Sequence, residues 1–592
     1  MISSLIILKS VEGHQIMNNY KYLQKLNSNQ LHVIQQTENV LLTAIPGSGK
    51  TRTLTNKILF EFEENEYKKI IAITYTNRAA DEMNERIINQ LGKVPDNIWI
   101  GTIHKFCLEF ILRRYSSYSE FLSKPFCILG EQDDNKLKKG LLKKYNISAY
   151  EQIDYTLSPS GNPNEKKFYE YVKEYYFIQK KSRKINFDLI LYESYKILKN
   201  NKNICINISA LIKYLCVDEY QDTQELQYQI LALIYKSTKK FKMFFVGDPN
   251  QAIYTGLGGV VKNKIEMEKI FCVTFKQYKL NDCYRSNQII IDFYKKYALT
   301  NIEMKSATNL YNNPIIYKNI NISKGLLIEE IEKIIINSIN DGIEENDICI
   351  VAPQWILLYD LSSKLHQRMP NVKFDAPNII PIKKDVENIC YKLSELLLSN
   401  YSFNNKNIML NKARDIIKQL EDEYCVNLSL DEYDLLKVIF TSKVENIKGT
   451  EYLKKSMINI FDKLNILSIF NSEVEKFIED TQDNIRFYEK WGIEDSRLSF
   501  EKSLRSKEGI VISTIHGIKG DEFRVVIAFG LLEGYIPHWN SIYETKTADE
   551  DSKKLMFVLC SRAKERLYLF AENDRYTKTN KLMEVNRDLK SS

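Results

Sequence analysis

Short apolar runs alternate with amphipathic stretches in two separated regions of the chain. The first region contains the apolar runs Val40–Leu42, Ile70–Thr74, Tyr214–Val217 and Phe241–Val246. The second region contains Asp347–Val351, Gly509–Ser513 and Val525–Phe529. Apolar runs of this length, each followed by a helical pattern, are typical of buried strands in parallel sheets flanked by helices. The pattern therefore predicts an α/β fold built on two parallel sheets.

The segment after Ile70–Thr74 shows how a helix follows such a strand. Its small and apolar residues recur at helical spacing and share one face: Ala79, Ala80, Met83 and Ile87. Thr76 or Asn77 precedes this face and has the short polar side chain that caps a helix N-terminus. We therefore predict a strand that leads directly into a capped amphipathic helix.

Two long stretches lack the alternation and read as helical throughout, near residues 110–205 and 390–500. At 592 residues the chain also exceeds the size of a single hydrophobic core. We therefore predict two sheet domains, each interrupted by a mainly α-helical insertion. The first comprises residues 1–110 and 206–278 with the insertion 111–205, and the second comprises residues 279–389 and 501–592 with the insertion 390–500.

A phosphate-binding loop follows the first apolar run. It consists of Ala44, Ile45, Pro46, Gly47, Ser48, Gly49, Lys50 and Thr51. Glycines let the backbone wrap around a polyphosphate, so that N–H groups and a helix N-terminus face the anion. Lys50 would then face the β- and γ-phosphates, and the Thr51 hydroxyl would hold Mg²⁺. Pro46 lacks an N–H group, so the loop draws its phosphate contacts from other positions.

Two further strand ends carry groups that suit nucleotide hydrolysis. Tyr214–Val217 is followed by Asp218, which would complete a magnesium shell, and by Glu219, which would polarise the attacking water. Phe241–Val246 leads to Gln251, a candidate sensor of the γ-phosphate. Because the carboxyl ends of neighbouring parallel strands lie at one edge of a sheet, we expect these side chains to meet at the phosphate loop.

The amino-acid composition limits the kinds of protein this chain can be, but it does not identify a binding partner. The net charge of +7 permits a nucleic-acid partner but requires any basic surface to be local. The ten cysteines form no pair with metal-ligand spacing, which favours reduced thiols over a metal site. The start of the chain, Ser4–Lys9, is too short for a signal peptide, and no apolar run approaches ~20 residues. We therefore predict a cytoplasmic protein with no membrane segment.

Taken in order, these segments resemble the UvrD/Rep/PcrA group of DNA helicases from about Asn27 to Lys564. Four further segments carry the resemblance: residues 26–30, 281–286, 514–523 and 558–564. The resemblance implies two RecA-like motor domains that use ATP and Mg²⁺ to move 3′ to 5′ on single-stranded or 3′-tailed DNA. It also implies nucleotide roles for these residues: Gln30 and Tyr284 at the adenine, Arg52 and Glu522 near the nucleotide, and Arg285 and Arg562 as arginine fingers.

The same resemblance implies a path for DNA. The residues that match the family's DNA contacts are Thr76, Asn77, Thr102, His104, Tyr254, Thr514 and His516. Short polar side chains suit phosphate contacts, and aromatic rings suit base stacking. The first insertion also mixes basic and aromatic residues at 166–169 and 175–184. That pattern fits a DNA path and a solvated lysine face over an aromatic core equally well.

Two departures from the family pattern stand out. Gly256 and Leu257 replace the aromatic residue and the arginine that usually follow a segment such as Gln251–Tyr254. Since the missing ring stacks on a base, we expect a weaker grip on DNA or a transfer of that task to Tyr254. Asp521 occupies a position where many members have leucine, and little consequence is expected there.

Two functions remain open from the sequence. The favoured one is a DNA-stimulated ATPase that moves on single strands and unwinds duplex DNA. The alternative is an ATPase subunit that senses nucleic acid or nucleotide and regulates a partner nuclease, because the chain also resembles the compact UvrD-like proteins of Gabija-type antiviral systems. A fused nuclease domain is not expected, since fewer than ~30 residues follow Lys564. Intact Lys50 and Glu219 argue against an inactive binding module.

Overall fold

The structure of the protein is a computed structural model. It describes residues 26–591 except 65, 149–150, 152, 255–257, 309–313, 376–380, 384, 386–387, 400–405, 425, 446–447, 490–492, 505–508, 544–546 and 578. The predictions that concern Ser4–Lys9, Gly256 and Leu257 therefore lie outside the described residues.

The first lobe is built on a six-stranded parallel sheet with the strand order β3-β2-β6-β7-β1-β8. Its strands, with a short separate pair β4–β5, are β1 Val40–Ala44, β2 Lys69–Thr74, β3 Ile98–Thr102, β4 Cys127–Ile128, β5 Lys184–Ile185, β6 Ile212–Val217, β7 Lys242–Gly247 and β8 Lys276–Leu280. Its helices are α1 Ser28–Ile34, α2 Lys50–Glu61, α3 Asn77–Leu91, α4 Ile103–Phe106, α5 Arg113–Tyr115, α6 Glu131–Lys144, α7 Tyr169–Ser182, α8 Phe187–Asn200, α9 Lys202–Leu211, α10 Glu225–Thr238 and α11 Lys264–Phe271. A π-helical turn, Cys107–Leu112, joins α4 to α5.

The second lobe repeats the plan with the order β11-β16-β15-β12-β14-β13, again all parallel. Its strands, with the short pair β9–β10, are β9 Asp282–Cys283, β10 Lys305–Ser306, β11 Ile315–Ile322, β12 Ile348–Ala352, β13 Phe374–Asp375, β14 Ile510–Thr514, β15 Phe523–Ala528 and β16 Ala563–Glu572. Its helices are α12 Gln288–Lys295, α13 Lys324–Asn340, α14 Trp355–Arg368, α15 Ile389–Leu398, α16 Lys406–Tyr424, α17 Glu432–Thr441, α18 Gly449–Lys463, α19 Leu467–Tyr488, α20 Arg497–Leu504, α21 Trp539–Tyr543, α22 Ala548–Cys560 and α23 Arg587–Ser591.

The two helical stretches pack in different ways. Helices α4–α9 lie between β3 and β6, and their aromatic residues Tyr171 and Tyr175 share one buried cluster with Leu41 and Ile71 of the first sheet. Helices α15–α20 lie between β13 and β14 and bury their own cluster, which contains Leu435, Leu453, Phe470 and related residues. The first insertion is thus continuous with its lobe, whereas the second has a core of its own.

The two parallel sheets confirm the predicted fold class. The predicted domain boundaries stay predictions, and β8 extends to Leu280, past the expected limit at residue 278. The chain passes from the first sheet to the second lobe between Leu280 and Asp282. Among the described residues, no helix combines the length and the hydrophobicity that a membrane crossing needs.

Candidate nucleotide cleft and nucleic-acid interface

The predicted phosphate loop connects β1 to α2. Gly47 and Gly49 have φ angles of +73° and +80°, in the left-handed region that favours glycine. The Ser48 hydroxyl donates to the Ile45 carbonyl at 2.7 Å and tightens the turn. A side chain at Gly47 would lie 2.6 Å from Cβ of Arg285, a residue of the second lobe. The loop therefore faces the other lobe at van der Waals distance.

The three charged residues predicted for phosphate, metal and water lie together at this loop. Nζ of Lys50 lies 3.5 Å from Oε2 of Glu219, and the Asp218 carboxylate accepts the Glu219 N–H at 3.0 Å. Burial and the neighbouring Glu219 raise the pKa of Asp218 above its usual range. Burial also disfavours the charged form of Glu219, but the cations Lys50 and Lys519 outweigh it and hold the pKa of Glu219 below its usual range. The site thus holds one carboxylate that the neighbouring cations keep ionised and one whose charged form burial and Glu219 disfavour.

That imbalance fits a divalent cation. Asp218 is 5% exposed, and a buried carboxylate with a raised pKa is stabilised in its charged form by a nearby metal ion. Thr51 is the second residue of α2, directly after Lys50. These two oxygen donors suit Mg²⁺, which binds proteins through a few oxygen ligands.

A chain of side-chain amides connects the acidic residues to the second lobe. Gln221 donates to Glu219 at 2.5 Å and accepts the Asp248 N–H at 2.9 Å. Gln251 donates to the Asp248 carboxylate at 2.7 Å, and its oxygen accepts from Nη2 of Arg562, also at 2.7 Å. The sequence did not single out Gln221, although its position between two acidic residues after a buried strand was a usable signal. The network therefore runs from Glu219 to Arg562 across the cleft.

Both predicted arginines of the second lobe contact the first lobe: Arg285 lies against Gly47 of the loop, and Arg562 bonds Gln251. Arg285 donates to the Glu522 carboxylate at 2.8 Å and to the Ser561 carbonyl at 2.9 Å. Arg562 is 1% exposed, and burial together with the nearby Arg285 lowers its pKa from the usual value. The Tyr284 N–H donates to the Gly47 carbonyl at 2.9 Å, which ties the two lobes together at the loop.

The residues predicted for the adenine end lie beside the loop. Nε2 of Gln30 donates to the Ser48 carbonyl at 2.9 Å, and its oxygen accepts the Asn27 N–H at 3.1 Å. The Asn27 side chain donates to the Tyr284 hydroxyl at 2.7 Å. Tyr284 is 44% exposed. Arg52 is exposed on α2.

The three threonines predicted to contact DNA all cap helix or turn N-termini. Thr76 accepts the Ala79 N–H at 3.2 Å, Thr102 accepts the Lys105 N–H at 3.3 Å, and Thr514 accepts the Gly517 N–H at 3.2 Å. Asn77 begins α3 next to the first of them. Helix N-termini with free N–H groups suit phosphate oxygens. This geometry is compatible with backbone contacts that carry no sequence information.

Aromatic rings lie along the same face. Tyr254 stacks on Tyr75 with ring centroids 4.7 Å apart, and the His516 ring lies 5.7 Å away. His104 contacts Phe187 edge to face at 5.0 Å, and the Phe187 ring is 52% exposed. Tyr75 directly precedes Thr76 in the matched segment but was not among the predicted contacts, whereas only the fold places Phe187 beside His104. In the mixed basic and aromatic segment, Tyr175 and Tyr176 are buried, which favours the aromatic-core interpretation for those two rings.

Two ion pairs cross between the lobes beside the cleft. Lys519 donates to Asp222 at 2.5 Å and to the Gln251 carbonyl at 2.8 Å. Asp521 pairs with Arg78 of α3. The expectation that Asp521 has little consequence stays a prediction, although this carboxylate binds a guanidinium, for which leucine would offer no acceptor.

The fold and the cleft define a two-lobed nucleoside-triphosphate-binding protein with arginines supplied from the opposing lobe. Comparison of the sequence with known protein families identifies this class. Residues 26–272 match the UvrD/REP helicase N-terminal domain, and residues 382–574 match the UvrD-like helicase C-terminal domain. The chain belongs to the UvrD/Rep/PcrA-type helicase family.

Curated relatives span most of the chain. This chain is 26% identical over 630 residues to the ATP-dependent DNA helicase Rep of Buchnera aphidicola subsp. Schizaphis graminum, and the alignment covers 92% of both chains. It is 25% identical to the ATP-dependent DNA helicase PcrA of Bacillus subtilis, covering 92% of this chain and 82% of that protein. A probable DNA helicase II homolog of Mycoplasma capricolum is also 25% identical, with 92% and 84% covered.

Proposed function

We propose that this protein is an ATP-dependent DNA helicase that moves 3′ to 5′ on single-stranded DNA. One observation carries the proposal: on the second lobe, Arg285 lies against Gly47 of the phosphate loop and Arg562 bonds Gln251 of the first lobe. A triphosphate between them would be held by residues from both sides. Relatives named ATP-dependent DNA helicases support the same reaction.

Each cleft residue has a role that its surroundings permit. Lys50 would bind the β- and γ-phosphates, and Glu219, kept ionised by Lys50 and Lys519, would accept a proton from the attacking water. Asp218 and Thr51 would hold Mg²⁺, which neutralises phosphate charge when it is bound. Gln30 and Tyr284 would contact the adenine, and Arg52 and Glu522 would border the nucleotide.

Hydrolysis would be coupled to movement through the arginines. Arg285 and Arg562 stabilise negative charge that is present on the γ-phosphate and lost when phosphate leaves. Because Arg562 bonds Gln251, and Gln251 lies three residues before Tyr254, a change at the phosphate reaches the aromatic face through a short segment. Opening and closing of the cleft would thereby change the grip on DNA.

The proposed DNA path follows Thr76, Asn77, Thr102, His104, Tyr254, Thr514 and His516. The capped N-termini would receive backbone phosphates, and Tyr254 with Tyr75 would stack on bases. Phe187 extends the path on the first insertion, because its exposed ring contacts His104. The predicted cytoplasmic location stays a prediction.

A regulatory ATPase that acts with a partner nuclease is the second candidate. Gly256 and Leu257 favour it, since they remove a base-stacking ring and an arginine from the family pattern.

ATP turnover with and without single-stranded DNA, followed by strand displacement on 3′-tailed and 5′-tailed duplexes, separates the two candidates. The helicase proposal expects stimulation by DNA and unwinding only from the 3′ tail. Stimulation without unwinding of either duplex would favour the regulatory ATPase. Absence of ATP hydrolysis would refute both.

A further inference from the structure

A salt bridge between Arg78 and Asp521 joins the two lobes outside the predicted catalytic groups. Nη1 of Arg78 donates to Oδ2 of Asp521 at 3.0 Å, and Nη2 donates to Oδ1, so that the pair is bidentate. The Arg78 side chain is 58% exposed, whereas that of Asp521 is 7% exposed. The carboxylate is therefore enclosed between the lobes, and the guanidinium remains open to solvent on one side.

Asp521 belongs to the loop that arranges both arginine fingers. Its carbonyl accepts from Nη1 of Arg562 at 3.3 Å. The next residue, Glu522, pairs with Arg285 at 2.8 Å. A contact that fixes this loop therefore also fixes the arginines relative to the first lobe.

Arg78 belongs to the segment where the DNA path is proposed to begin. It is the second residue of α3, two positions after the cap Thr76. An exposed guanidinium beside a helix N-terminus is also a ready partner for a phosphate oxygen. The Asp521 carboxylate and a DNA phosphate would therefore compete for the Arg78 guanidinium.

We propose that Asp521 is a positioning residue that pairs with Arg78, stabilises the closed cleft and withholds Arg78 from the DNA backbone. The proposal rests on the proposed function, since it assigns a partner to a residue of the same cleft. A leucine at position 521 would leave the closed cleft without the ion pair to Arg78. In this chain, closure of the cleft therefore includes an ionic contribution that nucleotide binding and DNA binding both sense.

The test compares Asp521→Asn with the wild-type chain by two binding measurements. Nucleotide affinity is taken from the thermal shift with a non-hydrolysable ATP analogue, and DNA affinity from fluorescence anisotropy of labelled single-stranded DNA at several salt concentrations. Loss of a bidentate, half-exposed ion pair should weaken analogue binding by about 3- to 10-fold. DNA affinity should not fall, and its salt dependence should steepen by about one counterion, because Arg78 is released to a phosphate.

Asp341→Asn is the matched control. Asp341 pairs with Arg566 at 2.7 Å, but both residues belong to the second lobe. This variant loses the same charge and an arginine partner without changing a contact between lobes. Both affinities should match those of the wild-type chain.

A double-mutant cycle with Arg78→Gln tests whether the two residues act through each other. The double variant Arg78→Gln/Asp521→Asn should weaken analogue binding no more than the worse single variant. Additive losses, unchanged analogue binding in Asp521→Asn, or weakening of both analogue and DNA binding in that variant would overturn the proposal. These readouts need no hydrolysis, so an inactive wild-type chain would refute the helicase assignment separately.

Discussion

Replacement of Glu219 by glutamine tests the assignment of the catalytic base. The change keeps the shape of the side chain and the hydrogen bond from Gln221 but removes the negative charge. Loss of a general base costs about 10²- to 10⁴-fold in turnover, which corresponds to ~3–5 kcal/mol of barrier height. We expect ATP hydrolysis by Glu219→Gln to fall by that factor, with and without DNA.

Nucleotide binding by the same variant should survive. At 3.5 Å, Lys50 and Glu219 attract each other by ~5 kcal/mol before desolvation, at an effective dielectric constant of ~20. Removal of this competing anion leaves Lys50 free to face a phosphate, so the Kd for ATP should stay equal or fall. Lys50→Ala, in contrast, should abolish hydrolysis and weaken binding.

The assay is steady-state ATP turnover together with equilibrium binding of a fluorescent ATP analogue. Glu225→Gln is the matched control, because Glu225 lies on α10 of the same lobe and pairs with Lys262 at 2.8 Å. It should leave both measurements unchanged. Wild-type turnover in Glu219→Gln would refute the assignment, and loss of nucleotide binding would show that the side chain has a structural role instead.

Three further predictions concern the loop, the aromatic face and a histidine. Gly47→Ala should abolish hydrolysis, because its Cβ would lie 2.6 Å from Cβ of Arg285; Gly92→Ala has a similar φ of +78° and open space, and should retain turnover. Tyr254→Ala should weaken DNA binding by ~1–3 kcal/mol in anisotropy titrations, whereas Tyr254→Phe should retain it. Burial lowers the pKa of His104 to about 4, so NMR should find its titration well below pH 6.5. Because the unfolded chain binds that proton first, His104 should reduce stability as the pH falls from about 6.5 to about 4, and His104→Gln should remove this part of the acid sensitivity in thermal melts.

Most central strands could be predicted from the sequence because their residues are apolar on both faces; the central strand β16 was missed, since buried and half-buried residues alternate along its first half. Val40–Ala44 and Ile348–Ala352 are buried throughout. Edge strands lack that signal: only Leu280 is buried in β8, and only Ile322 in β11. Their polar residues reflect exposure at the margin of the sheet, so these two strands lack the apolar run that marks a buried strand.

The candidate site follows the same division. Residues in local patterns, such as the phosphate loop and Asp218, could be identified before the fold was known. Pairs such as Arg78 with Asp521 could not, because they lie 443 positions apart and meet only where the two lobes come together in the fold. Gln221 is intermediate, since its position in sequence was suggestive but its bonds to Glu219 and the Asp248 N–H depend on the neighbouring strand.

Because the chain passes directly from Leu280 to Asp282, we expect the lobes to rotate about this junction when the cleft opens and closes. Arg285 lies three residues beyond Asp282, close to the pivot, so rotation of one lobe displaces it little. Surfaces far from the pivot travel through much longer arcs for the same angle. A small rearrangement around a phosphate beside this junction would therefore move the surfaces of the lobes that lie far from it through a much larger distance.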